Sequence, residues 1–294
     1  MDLSVSFMTK NFYKTEWDSV EKTETQPRHM RNLVEMPFDE LKAKVFSQDK
    51  SFLTSSVESV YSGDVYILKR AFSHDFMFDL RERVHRYGKT LPSEFHKMLD
   101  GCPDFHRMIT PDIAKNYAMW AIRHAYYFFQ WNEDPLKILE HINERWRVFK
   151  FMGGFQKDAY EKNIPSDGIV DRLQIAQYVS GQGELERHRD PYQYQKFSIS
   201  AIMSKRGVDF DSGGVYAVGP DNEHIDLEDK LEVGDMYVLY PTVEHGIETI
   251  NKGATIDWNF DDGRWFMGLY SNASDHMKNR HTCQGLEIAT ETST

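Results

Sequence analysis

Cys102 and Cys283 are the only cysteines in this sequence of 294 residues. They lie far apart and match no metal-binding or redox spacing. That excludes a disulfide framework or a thiolate metal cluster and leaves two reduced thiols in a reducing compartment. Long apolar runs are also missing. Met1 to Trp17 is interrupted by Asp2, Lys10, Lys14 and Glu16, without the continuous apolar segment a signal peptide needs. Ala125 to Phe129 is far too short to span a bilayer. The expectation is a cytoplasmic protein with no membrane partner. Positive charge is the minority: 35 Lys and Arg stand against 46 Asp and Glu, a net charge of −11. Such a surface repels a phosphate backbone, so no nucleic-acid partner is expected. Oligomeric state is not legible.

Hydrophobic residues make up 40% of the chain and aromatics 14%, enough for a core with an aromatic-lined interior. Met1 to about Lys50 shows weak periodicity and many charges, which predicts extended or loosely packed structure. Asp64 to Phe72 reads as a strand. Ser73 then caps a helix from Asp75 to Tyr87, with Phe76, Leu80, Val84 and Tyr87 on one face and Gly88 ending it. Pro111 to Trp131 gives a second helical pattern through Ile113, Tyr117, Trp120, His124 and Phe128. Leu139, Ile142, Trp146 and Phe149 give a third, stopped by Gly153 and Gly154.

After about Pro165 the period changes to two. Phe197, Ile199, Ala201 and Met203 alternate with Ser198, Ser200 and Ile202. Met236, Val238 and Tyr240 alternate with Tyr237 and Leu239. Gly213-Gly214, Gly219-Pro220 and Asp262-Gly263 mark turns. Helices followed by strands predict an α+β chain whose β-sandwich or jelly-roll core is buttressed by helices. The expected division is 1–165 as a helical region forming pocket walls, 166–275 as a double-stranded β-helix core, and 276–294 as a tail, all in one compact domain. Glu291 to Thr294 is expected to be disordered.

The chemistry concentrates in LQIAQYVSGQGELERHRD, Leu173 to Asp190. His188 and Asp190 are two apart, so a strand aims both at one face, where an imidazole and a carboxylate can share a metal. His245 follows the strand Met236 to Tyr240, which a hairpin topology could bring alongside. Two histidines and a carboxylate fill one face of an octahedral iron(II) ion and leave three positions open. Arg264 offers a guanidinium fork for a carboxylate. Tyr178, upstream of a turn through Gly181 and Gly183, offers a hydroxyl to the same group.

These elements together resemble the iron(II)- and 2-oxoglutarate-dependent dioxygenases of the prolyl-hydroxylase-like type. The matching positions are Leu173-Gln174, Tyr178, Gly181, His188, Asp190, Asp209-Phe210, Gly213-Gly214, Gly234-Asp235 and His245-Gly246, spread over residues 170–270. The resemblance implies a double-stranded β-helix with iron(II) on His188, Asp190 and His245. It also implies 2-oxoglutarate as co-substrate on Arg264 and Tyr178, and consumption of O₂. Asp190 keeps the carboxylate that halogenating relatives lack, which implies hydroxylation, desaturation or cyclisation at an unactivated C–H bond. One departure concerns the basic residue. In the family it follows the distal histidine more closely, and Ala254 to Ile256, where it would fall, hold none. Arg264 therefore requires a longer hairpin, Asn251 to Asp262, with Lys196 and Lys252 as the other candidates.

For the substrate, Arg107 and Arg123 are cations that could meet a carboxylate, and Trp131 is a candidate wall. The expectation is a small polar, amino-acid-like or carboxylated molecule in a closed pocket covered by His106 to Trp131. A protein or peptidyl hydroxylase would share the iron site but show an open groove. A non-oxidative cupin-like metal protein would lack the opposing arginine.

Overall fold

The computed structural model describes residues 10–286. In chain order the elements are α1 (Tyr13–Thr23), β1 (Leu33–Pro37), α2 (Phe38–Ser47), α3 (Lys50–Tyr61), β2 (Val65–Lys69), α4 (His74–Thr90), β3 (Phe105–Ile109), α5 (Pro111–Ala114), β4 (Ala121–Phe129) and α6 (Leu139–Met152). The β-rich half follows: β5 (Ile169–Tyr178), β6 (Glu184–Arg189), β7 (Ser198–Ile202), β8 (Gly214–Val218), β9 (His224–Asp226), β10 (Met236–Leu239), β11 (His245–Glu248), β12 (Arg264–Ala273) and β13 (Gln284–Gly285).

Two layers make the jelly roll. One runs β1-β2-β10-β7-β12-β5-β4, and the other β6-β11-β8-β9. β4 belongs to both, since its start pairs with β6 and its remainder with β5. The fold is α+β, a curled sheet buttressed by helices, as the change of period predicts. The helices cover the outside of the first layer. Trp17 of α1 packs against Phe197 and Tyr240, Phe149 of α6 against Phe197, and His85 of α4 against Trp265.

Three local expectations are corrected. Pro111 to Trp131 is not a helix: after the single turn of α5 the chain becomes β4, flanked by β3 and β5. Trp120, His124 and Phe128 recur every four residues, a spacing that a strand also places on one face, and the aromatic-rich segment AIRHAYYFF favours the strand. Residues 10–50 are not loose. Tyr13 and Trp17 are fully buried, and the Trp17 indole donates to the Met152 carbonyl at 2.8 Å. One turn of two large aromatics anchors a helix whose other faces are charged, so the periodicity looks weak. Gly88 does not end α4, which runs on to Thr90. It lies against Tyr126, where an added Cβ would stand 2.6 Å from the ring. The expected C-terminal disorder at Glu291 to Thr294 falls outside the described residues.

Candidate metal centre and its chamber

β5 leaves the first layer at Tyr178 and turns through Gly181, whose φ of 96° and proximity to the Ala254 carbonyl require glycine. The chain returns as β6, carrying His188. β11 runs antiparallel beside it with His245 directly opposite His188. The imidazole centroids lie 4.3 Å apart. Asp190 follows β6, tied by its own N–H to the Pro241 carbonyl at 2.8 Å. Its carboxylate oxygens lie 3.7 Å from Nε2 of His188 and 3.7 Å from Nε2 of His245. One ligand atom from each of the three falls within 4.8 Å of the others, and all three residues are buried.

The hydrogen bonds select the metal-binding form of each group. Nδ1 of His188 donates to the Glu186 carbonyl at 2.9 Å, and Nδ1 of His245 to the Val243 carbonyl at 2.9 Å. That fixes the tautomer and leaves each Nε2 lone pair aimed at the shared centre. Burial, reinforced by the neighbouring His245, pushes His188 down to about 4, so its imidazole stays neutral. Burial works to raise the Asp190 carboxyl. The two histidines and hydrogen bonds from Cys283 and Ser198 outweigh it, and the carboxyl is held below its ordinary value. Two imidazoles and an ionised carboxylate are the donor set a divalent metal takes.

The rest of the chamber follows from register. Residues facing each other across antiparallel strands share a face, and so do residues two apart. Arg264 pairs with Tyr178, Gly268 with Gln174, and Tyr270 with Arg172, across β12 and β5. Tyr127 pairs with Gln174 and Phe129 with Arg172 across β4 and β5. Gly268 pairs with Ser200, and Ser200 with Tyr237. Arg123, Arg172, Tyr178, Ser198, Tyr237, Arg264 and Tyr270 therefore share the inner face. The Ser198 hydroxyl donates to Asp190. The polar side of the β7 alternation points inward, and its apolar side packs under the helices.

Arg264 is fully buried. Its Nε donates to Glu228 at 2.7 Å, while Nη1 and Nη2 have no partner among the described residues. A buried guanidinium with its fork unpaired is costly unless a ligand completes it. The longer excursion that this arginine requires is present as the loop of residues 249–263. Lys196 pairs with Glu21 on the helical side, away from this face. Lys252 is exposed. Tyr178 accepts a hydrogen bond from Arg123 at 3.3 Å.

A cavity of about 350 Å³ opens from the chamber between β3, β4, β5 and residues 275–283. Arg123 lines it. Arg107 and Trp131 do not: the Arg107 guanidinium sits over Phe95 and Tyr117, and the Trp131 indole stacks on Phe129 and donates to the Cys102 carbonyl. Sequence reasoning missed Arg172, Ser198, Glu228 and Cys283. Cys283 also lines the cavity, and its S–H donates to Asp190 at 2.9 Å across 93 residues of chain. No local signal marks such a contact. Arg172 and Ser198 were within reach, because period two places them on the faces of Tyr178 and Ser200.

Among solved structures, the chain is similar to a C-terminally truncated protein of Neurospora crassa in its apo form, with 12% identity, 85% of this chain and 100% of that chain covered, and a TM-score of 0.50. The fold is shared. The chain is also similar to a Pseudomonas putida prolyl-4-hydroxylase (11% identity, 74% and 97% covered, TM-score 0.45). A further likeness is to an oxidoreductase of the 2OG-Fe(II) oxygenase family from Burkholderia pseudomallei (15% identity, 85% and 100% covered, TM-score 0.43). No protein-family model matches the chain, and no curated protein matches it in sequence. Among the described residues no helix is long and apolar enough to cross a membrane.

Proposed function

We propose that this protein is an iron(II)- and 2-oxoglutarate-dependent oxygenase acting on an unactivated C–H bond of a small carboxylated molecule. The observation that carries this reading is the unpaired fork of Arg264, fully buried on the face that also bears Ser198, the partner of Asp190. A metal protein that used no carboxylate co-substrate would have no use for it, which weighs against the cupin-like alternative. His188, Asp190 and His245 would hold the iron. When bound, iron(II) supplies the activation of O₂ coupled to conversion of 2-oxoglutarate to succinate and CO₂.

The chain's own residues have distinct tasks. Arg264 grips the distal carboxylate of 2-oxoglutarate, with Glu228 holding the guanidinium from behind. Ser198 and Cys283 donate to the two oxygens of Asp190 and fix the direction of that carboxylate. Phe105, Tyr127 and Phe129 give the cavity an apolar wall. A volume of about 350 Å³ supports a small-molecule substrate rather than a polypeptide.

The test is metal and co-substrate binding together. The parent chain should bind one iron(II) or manganese(II) per molecule and release succinate from 2-oxoglutarate. His188→Ala, Asp190→Ala and His245→Ala should each abolish both, because two ligands hold a facial site poorly. Metal stoichiometry by elemental analysis and succinate release decide it. Undiminished turnover in all three variants would end this reading.

A further inference from the structure

The cavity beside the metal centre is apolar over most of its wall. Met98, Phe105, Ile109, Met119, Tyr127 and Phe129 supply that wall. Three arginines interrupt it: Arg280, which pairs with Asp275, and two that carry the argument, Arg123 from β4 and Arg172 from β5. Neither Arg123 nor Arg172 pairs with an anion among the described residues. Arg123 reaches only the Tyr178 hydroxyl at 3.3 Å, Arg172 only the Gln174 side-chain carbonyl at 3.4 Å, and the Nε of each is buried without a partner. The Arg172 guanidinium also lies 5.5 Å from the centroids of both the Tyr127 and Tyr270 rings, two cation–π contacts that favour this position. In a chain of net charge −11, two unpaired arginines in one cavity are a local reversal of sign.

The cavity's carboxylate is already engaged. Asp275 receives the Met98 N–H at 2.7 Å and pairs with Arg280. An ammonium group entering here would meet guanidiniums and no free anion among the lining residues, and would be desolvated without compensation.

We propose that the cavity takes a substrate with an apolar, aromatic or hydrocarbon body and one carboxylate read by Arg123 and Arg172, and that it discriminates against α-amino acids. The carboxylate completes two buried donor groups, and the body fills the apolar wall. Cys283 links this cavity to the metal centre, since its thiol lines the one and touches Asp190 in the other. The inference rests on the oxygenase reading for the fate of the ligand but not for its binding. It narrows the amino-acid-like expectation to carboxylic acids without the amine.

Calorimetric titration tests it with 5-phenylpentanoate, its primary amide and 2-amino-5-phenylpentanoate, on the full chain loaded with manganese(II) and 2-oxoglutarate. The acid should bind at least tenfold more tightly than the amide and at least tenfold more tightly than the 2-amino acid. Arg123→Met and Arg172→Met should each lose most of the preference for acid over amide, with amide binding changed little. Arg172→Lys should recover part of it. Should a variant fail to fold by thermal melt, the three-ligand series on the parent chain still decides. Equal binding of acid and amide overturns the proposal, and so does tighter binding of the 2-amino acid. Manganese(II) and 2-oxoglutarate titrations without a probe test the oxygenase reading separately. If those fail while the acid preference holds in the unloaded chain, the cavity assignment stands without it.

Discussion

At the scale of single residues, the centre is built from groups held in the state their task needs. Burial and the neighbouring His245 lower the pKa of His188, and donation to the Glu186 and Val243 carbonyls orients the two imidazoles so that each Nε2 faces Asp190. Arg264 is the opposite case, a permanent charge brought into the interior with one side satisfied by Glu228 and the other left open. Arg264→Ala should therefore raise the 2-oxoglutarate requirement by about 2–5 kcal/mol, roughly thirty- to several-thousand-fold. Arg264→Lys should restore only part, because a point charge cannot form two parallel bonds to a carboxylate. Titration of the succinate-release rate against 2-oxoglutarate checks both. An unchanged midpoint in the alanine variant places the anchor elsewhere.

At the scale of elements, the packing of α4 on β4 makes a prediction against helix propensity. Alanine is favoured over glycine inside a helix by about 1 kcal/mol. At Gly88 the new Cβ meets the buried Tyr126 ring, whose hydroxyl is hydrogen-bonded to His124 at 3.0 Å and cannot easily yield. Gly88→Ala should lower stability by about 1–3 kcal/mol by overpacking, measured by urea unfolding, and a stabilised variant would show that the contact relaxes freely. The turn before β3 carries a second prediction. Asp104 accepts from the Phe129 N–H and from Asn132, yet burial pushes its carboxyl up to about 6. A folded-state value above the unfolded one means that the folded chain holds the extra proton between about pH 4 and pH 6. Stability from this group is thus greatest below that window and falls as pH rises through it. Asp104→Asn keeps the accepting oxygen and removes the ionised form. The variant should match the parent near pH 3, below the window, and exceed it by about 2–3 kcal/mol at about pH 8, as read from unfolding curves at the two values.

At the scale of the whole molecule, both sheets and residues 275–283 enclose the chamber, so ligands that bridge them should stiffen the chain as a unit. Binding to the folded form alone adds about 2.7 kcal/mol at a hundredfold excess over Kd. For a chain of this size that raises Tm by about 4–5 °C. Manganese(II) with 2-oxoglutarate should produce such a shift, 2-oxoglutarate alone a smaller one, and His188→Ala should remove the difference. Differential scanning calorimetry reads it directly, and a parent chain indifferent to the pair would contradict a shared chamber.

The sequence by itself determined that a period-two segment places His188 and Asp190 on one face, that a strand later in the chain leads to His245, and that helices precede a β-rich half. Each is a local statement: strand period, turn glycines and helix periodicity are properties of a few neighbouring residues. The β4 strand escaped because a recurrence of four fits both periods, and which one wins depends on the strands waiting on either side. Tertiary structure alone decided that Arg264 stands beside Tyr178 with its fork unpaired. It alone brought Arg172 into the cavity with Arg123 while Arg107 and Trp131 turned elsewhere, and set Cys283 against Asp190. These are outcomes of register and closure between residues up to 93 positions apart. A sequence carries no distance information at that separation until the hydrogen-bonded ladders that close the barrel supply it.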